Sequence, residues 1–319
     1  MNFLLFLATL LHIAAGLLFC GLPLIAFVEV LRTRNAGREV ASESLLHSLG
    51  FAVASLVIGS LMAGAQWDES FDAAWQLLSN RWIFLFLEMA FSMVLIGIAY
   101  LLLQRFPESG KLKITSAILL LIAATNSLYH FPSLMVITRE LRRHPEIYDP
   151  QSSMASLIFS PAILLRWVHP AIAAVLFSAV WHRMLSSWWF HSISRKLILL
   201  ARQNHTAEES TIMASPEVVE LREVDWRGGV WAMVAIVGLW ITGLTLFLVL
   251  PVLQANQLTS ITSGKSNQLM VGIVLATFVG VRCLANATRP SRMMCVLDVC
   301  LLLVTAASMI DAVSRGVSS

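Results

Sequence analysis

The sequence predicts an all-α fold, a polytopic membrane helical bundle of about eight transmembrane helices with its N-terminus outside. Three observations lead there. Of 319 residues, 57% are hydrophobic and only 13% are charged, whereas a soluble domain carries about a quarter charged residues. The mean hydropathy is +0.76. Apolar runs also recur at the length, about 20 residues, that crosses a hydrocarbon core of roughly 30 Å as a helix. Helices satisfy their own backbone polar groups in lipid, so runs of this kind span as helices.

The runs fall at 3–31, 44–64, 81–104, 112–137, 155–185, 229–253, 267–287 and 293–313. The first has no basic flank before it and no small-residue cleavage site, and reads as a retained helix rather than a signal peptide. They divide the chain into 1–185 with five spans, 186–228, and 229–319 with three. Residues 66–80, "QWDESFDAAWQLLSN", read as a short amphipathic segment on the outer surface. In the central part, "SSWWFHSISRKLILLARQ" suits a helix lying at the inner interface. The following "NHTAEESTIMASPEVVELREVD" reads as an exposed polar loop with one short helix. The remaining connections are short, so any chemistry belongs inside the bundle or at its rim. There is no repeat of 20–50 residues. Cys20, Cys283, Cys295 and Cys300 lack metal-site spacing and read as buried free thiols.

Loop charges set the orientation. Connections after the first, third, fifth and seventh spans carry Arg32, Arg34 and Arg38; Arg105, Lys111 and Lys113; Arg183, Arg195 and Lys196; and Arg282, Arg289 and Arg292. The alternate connections are acidic, mixed or nearly neutral: Asp68, Glu69 and Asp72; three acids against three bases in 139–149; and Lys265. The positive-inside rule then puts both termini outside. The net charge of +3 resides in these loops and implies no nucleic-acid partner.

Ionisable residues within spans cost roughly 2.5–3.5 kcal/mol at mid-membrane, which makes each a functional candidate. They are His12, Glu29, His47, Glu88, His130, Arg166, His169 and Asp311, with Met270 as a soft ligand. At a rise of 1.5 Å per residue, His12 lies about 15 Å in from the outer side and Glu88 roughly 10 Å in. His169 falls near mid-span with Arg166 one turn shallower. His130, Met270 and Asp311 also fall in the outer half, whereas Glu29, His47 and His182 fall at the inner face. His144, His182, His191 and His205, in loops or at the inner interface, read as solvated. Several axial-ligand types at one depth suit a buried haem, whose iron takes imidazole or thioether. Arg166 stands where it would neutralise outward propionates. A copper or zinc site would want His pairs at i, i+4 or His-x-His, and neither occurs. Taken singly, each histidine reads equally well as an interhelical hydrogen-bonding residue.

Several segments resemble subunit I of cytochrome bd quinol oxidase, in the family's order. "FLATLLHIAAGLLFCGLPLIAFVEV" resembles its first helix, which implies that His12 binds the oxygen-reducing haem. "GFAVASLVIGSLMAGAQW" is similar to the second. "LFLEMAFSMVLIGI" is similar to the third, which implies that Glu88 delivers protons. "AATNSLYHFPSLMV" resembles the fourth, with its polar turn at Thr125, Asn126 and Ser127. "LRWVHPAIAAVLF" resembles the fifth and "NQLMVGIVLATFVGV" the seventh, implying a low-spin haem b between His169 and Met270. "LLLVTAASMIDAVSRG" is similar to the end of the eighth, with Asp311 standing where a glutamate binds a second high-spin haem.

The departures shape the expectation. The connection at 255–267 is too short for the family's quinol-oxidising loop. Neither the Gly-Arg-Gln-Pro-Trp segment nor a ninth helix follows the eighth. Gln268 replaces an arginine, and Asn80 stands where a second acid would be. The resemblance therefore implies a bacterial inner-membrane haem protein that passes electrons from a low-spin haem b to a high-spin site, with one or two further haems of b or d type. Oxygen is the expected acceptor and Glu88, Thr125 and Asn126 the expected proton path. The expected donor is a periplasmic cytochrome c or a partner subunit rather than quinol through the usual loop, and a second membrane subunit is the expected companion. His130 stays open between ligand, pocket wall and hydrogen-bond partner. The alternative is a haem-poor or haem-free structural or assembly subunit of a respiratory complex. A transporter reading lacks an inverted repeat and a pair of broken helices.

Overall fold

A computed structural model describes residues 3–32, 35–65, 68–143, 158–204, 209–253, 263–285 and 291–315; within these, the side chains of 79–81, 161–162, 202–204, 209–210, 246–253, 263–273, 308–315 and a few single positions are not described. The described residues form ten α-helices. These are α1 (Phe3–Arg32), α2 (Asn35–Ala65), α3 (Glu69–Leu77), α4 (Ser79–Arg105) and α5 (Gly110–Arg143). The chain continues through α6 (Pro161–Asn204), α7 (Glu209–Met213), α8 (Pro216–Leu253), α9 (Ser263–Ala285) and α10 (Arg292–Arg315).

Six of them are long and apolar enough to cross a membrane: α1, α2, α5 over Gly110–Arg142, and the Trp82–Arg105, Arg166–Ala201 and Pro216–Thr245 parts of α4, α6 and α8. The seventh and eighth expected spans are helical as α9 and α10. The apolar length described in α9 is the shorter Val274–Ala285.

Two four-helix groups stand side by side, joined along α1 and α6. One core gathers Leu17 and Phe19 of α1, Leu45 and Ala52 of α2, Ile96 and Ala99 of α4, and Leu120 and Ala123 of α5, with Ala174 of α6 at its edge. The second gathers Leu176 and Val180 of α6, Ala232 and Ile236 of α8, Val279 of α9 and Leu302 of α10, with Ile25 of α1 reaching in. Small residues permit the join, because packing rather than water exclusion drives helix association in lipid. At Gly21 a Cβ would meet the Ala174 carbonyl and stand 2.5 Å from Ser178 Oγ.

Pro23 lies inside α1, and it has no N–H to give the carbonyl four residues back, that of Phe19. Ser48 of α2 supplies the replacement, its hydroxyl donating to Phe19 O at 3.1 Å. A buried serine is thereby explained by a proline on another helix.

Two sequence expectations need correcting. Residues 186–204 continue α6 without a break, giving 44 residues, about 66 Å at the helical rise and twice a hydrocarbon core of roughly 30 Å. The segment expected to be an exposed loop is helical from Pro216 onward. Beyond the apolar band the two helices pack together over the start of α2, burying Phe190, Val218, Leu221 and Val224 against Ala36 and Val40. At the other end, α3 is the short amphipathic helix expected at 66–80, capped by Asp68, whose Oδ1 accepts from the Phe71 amide at 2.7 Å.

Candidate functional site

The first helix group encloses a cavity of ≈ 980 Å3 in the half away from the basic connections. This is at the upper end of the roughly 300–1,000 Å3 typical of small-molecule and cofactor pockets. His12 from α1, Glu88 from α4, and Asn126 and His130 from α5 all line it, so four sequence candidates converge on one space. Over its mouth lies an aromatic stack: Phe71 on Trp75 at 6.2 Å and Trp75 on Trp82 at 4.4 Å between ring centroids. Arg142 lies over the Phe71 ring at 5.6 Å and pairs with Asp68 at 2.8 Å, which ties α3 down as a roof.

His12 is held in one protonation pattern. Its Nδ1 stands 2.9 Å from the backbone oxygen of Ser55. A carbonyl only accepts, so the neutral ring must carry its proton on Nδ1. Nε2 is left with its lone pair. The ring lies against α2 at Gly59, where a Cβ would come within 2.6 Å of His12 Cε1, and Phe131 flanks it at 6.1 Å.

Asn126 ties the cavity walls together. Its Nδ2 donates to the Glu88 backbone oxygen and to Ser92 Oγ, both at 2.9 Å. Thr125 does not share this space. It is exposed on the outside of α5 and donates to Leu121 O at 2.8 Å, so the expected Thr125–Asn126 path reduces to Asn126.

His169 belongs to a different place, between α6 and α8. Its Nδ1 is 2.9 Å from Thr242 Oγ1. That hydroxyl is also 2.9 Å from Gly238 O; with its proton there it accepts from the ring, and His169, like His12, then carries Nδ1–H and a bare Nε2. Gly243 beside it leaves room, a Cβ there lying 3.8 Å from His169 Cε1. The backbones of Met270 and Asp311 are helical, and their side chains lie outside the described residues.

Arg166 does not stand free for a ligand: it pairs with Glu140 of α5. Glu140 belongs to the 139–149 stretch counted as a connection, yet α5 continues to Arg143 and buries it.

Sequence reasoning missed the most heavily charged part of the molecule. At the basic end Arg183, 2% exposed, grips Asp225 with two hydrogen bonds of 3.1 and 3.2 Å. Asp298 lies 4.0 Å from the same guanidinium and pairs with Arg282 at 2.9 Å. Gly228 admits the arginine stem, since a Cβ there would meet it. Glu29 accepts from Arg227 at 2.7 Å. His182, read as solvated, is completely buried. His47 accepts from Trp181 Nε1 at 3.0 Å, so its neutral ring carries the proton on Nε2 instead. Glu29, singled out as an ionisable residue within a span, and Asp298, an acid inside an apolar run, were the signals available.

All four cysteines are free, three buried and Cys300 exposed, contrary to its expected burial. His144 and His205 lie outside the described residues. Among the described residues no group of three or more His, Cys, Asp or Glu is arranged to hold a bare metal ion. Set against known proteins, the sequence matches no protein-family model and no curated protein.

Proposed function

We propose that this chain is a bd-type membrane haem protein of the bacterial inner membrane, its basic end facing the cytoplasm and its N-terminus outside. One observation carries the reading: His12 and His169 both have Nδ1 at 2.9 Å from an oxygen partner, the Ser55 carbonyl and the Thr242 hydroxyl, which with the ring proton on Nδ1 leaves Nε2 as the iron-binding lone pair. Metal-bound histidines are oriented in this way by outer partners. The donor chemistry fits haem b: His12 faces a cavity of suitable volume, and the resemblance assigns the Met270 thioether as the second ligand beside His169. When bound, such haems supply one-electron transfer and, at an open coordination position, oxygen binding.

The remaining roles fall to the chain. Glu88 holds a proton at the cavity wall, Asn126 fixes the helix that carries it, and His130 stands at the same wall as hydrogen-bond partner or ligand. Asp311 is assigned to a further haem by the resemblance alone. A second membrane subunit, a periplasmic cytochrome c as donor and oxygen as acceptor complete the proposal. A structural-subunit reading has one observation in its favour: Glu140 takes the arginine that propionates would need.

The test is a reduced-minus-oxidised spectrum of purified protein. A haem b signal whose low-spin component disappears in His169→Ala and Met270→Ala is expected. Absence of any Soret band refutes haem binding and leaves the structural subunit.

A further inference from the structure

At the basic end, about 20 Å from His169 along α6 at 1.5 Å per residue, a second histidine is set up for chemistry that the haem reading does not use. His182 is completely buried. Its Nδ1 is 2.8 Å from Ser44 Oγ of α2, and that hydroxyl is also 2.9 Å from Val40 O. With the hydroxyl proton on Val40 O, the ring proton is on Nδ1 and Nε2 is the acceptor. Nε2 has no hydrogen-bond partner among the described residues.

An orphaned polar atom so deeply buried costs about 1–3 kcal/mol. Of the ten such side-chain atoms among the described residues, Ser178 Oγ lies one turn along α6 from His182 toward the cavity half. The other neighbours are charged. Glu29 of α1 and Arg227 of α8, bonded to each other, both act electrostatically on the ring. On α2, Ser48 follows Ser44 by one turn in the same direction and is equally buried. Serines in spans commonly serve only to pack helices, and Ser44 and Ser48, each bonded to a carbonyl, fit that role. Ser178 and His182 do not, because packing leaves no reason to bury an unsatisfied acceptor.

We propose that His182 is a proton-transfer site, with ordered water on its Nε2 and on Ser178, through which protons enter from the Glu29–Arg227 side toward the Glu88 cavity. In the transfer, Nε2 takes a proton from the water on the Glu29–Arg227 side while Nδ1–H stays on Ser44 Oγ, and the imidazolium gives the same proton from Nε2 to the water on Ser178. The ring ends neutral in its starting tautomer, with one proton moved from one water to the other. The destination at Glu88 rests on the proposed function; the hydrated site at His182 does not.

The first measurement is a water-edited solid-state NMR spectrum of the full chain in lipid, with 15N-labelled histidine. The unprotonated Nε2 of His182, assigned by its loss in His182→Phe, is expected to draw polarisation from water as quickly as the half-buried His191. A signal that stays dry overturns the proposal whether or not haem is present. The second is proton uptake during oxygen reduction by the haem-loaded protein. His182→Phe is expected to slow uptake with haem content unchanged, and His182→Gln to restore part of it. Unchanged uptake in His182→Phe overturns the route; failure of the wild type to bind haem overturns the haem reading and leaves the NMR result to decide the site.

Discussion

His12 and Gly59 are in contact that no larger residue at 59 could share: a Cβ at that position would lie 2.6 Å from Cε1 and 3.0 Å from Nδ1 of the ring. Gly59→Ala must therefore push the imidazole away from α2 and from the Ser55 carbonyl that fixes its proton. Overpacking of this kind costs about 1–3 kcal/mol. Gly50, with nothing within 4 Å of a Cβ, is the control. Gly59→Ala is expected to lower thermal stability in detergent and to perturb any haem bound at His12, while Gly50→Ala does neither.

Thr242 is the partner that orients His169. Thr242→Val keeps the shape and removes the acceptor at 2.9 Å. Loss of such outer partners weakens metal sites by about 10–100-fold. Haem titration of the variant is expected to show this weakening at the low-spin site alone, and unaltered affinity would mean that Thr242 does not set the ring.

Arg166 and Glu140 are proposed to stabilise the fold rather than contact a ligand. Removing one partner of a buried pair strands the other and costs about 3–5 kcal/mol; the partial exposure of Arg166, 21%, puts the expected loss at the lower end. Arg166→Met should destabilise the protein, and Arg166→Met with Glu140→Leu should regain most of the loss. Equal haem content in all three proteins is the expected companion result.

The two carboxylates near Arg183 should differ in weight. Asp225 makes two hydrogen bonds to it, whereas Asp298 stands 4.0 Å away and bonds Arg282 instead. Asp225→Asn is expected to lower the thermal midpoint more than Asp298→Asn. The reverse order would mean that the α9–α10 pairing, not the α6–α8 pairing, holds this end together.

Hydropathy alone made α1, α2, α4 and α5 legible, because each is a long apolar run whose ends are marked by arginine or glycine. The shared outer-half depth of His12, Glu88 and His130 was legible too, since depth along antiparallel helices is a simple product of rise and position. Asn126 entered only through the resemblance, and depth did not separate His169, which stands apart between α6 and α8. The charged layer did not. Arg183 looked like a loop residue because counting basic residues treats every arginine at a span end as a flank. Its partner Asp225 is 42 positions away, and only the antiparallel packing of α6 on α8 brings them together. Thr125 and Asn126 are adjacent in sequence yet face opposite ways, and neighbouring helix positions are not distinguished by depth.

The most direct test of the central claim counts haem per chain, by pyridine haemochrome, in wild type, His12→Ala and His169→Ala. If the bare Nε2 atoms of His12 and His169 each hold an iron, each variant loses one haem relative to wild type and the other site keeps its spectrum. Haem content equal to wild type in both variants, or no haem in wild type, would contradict it.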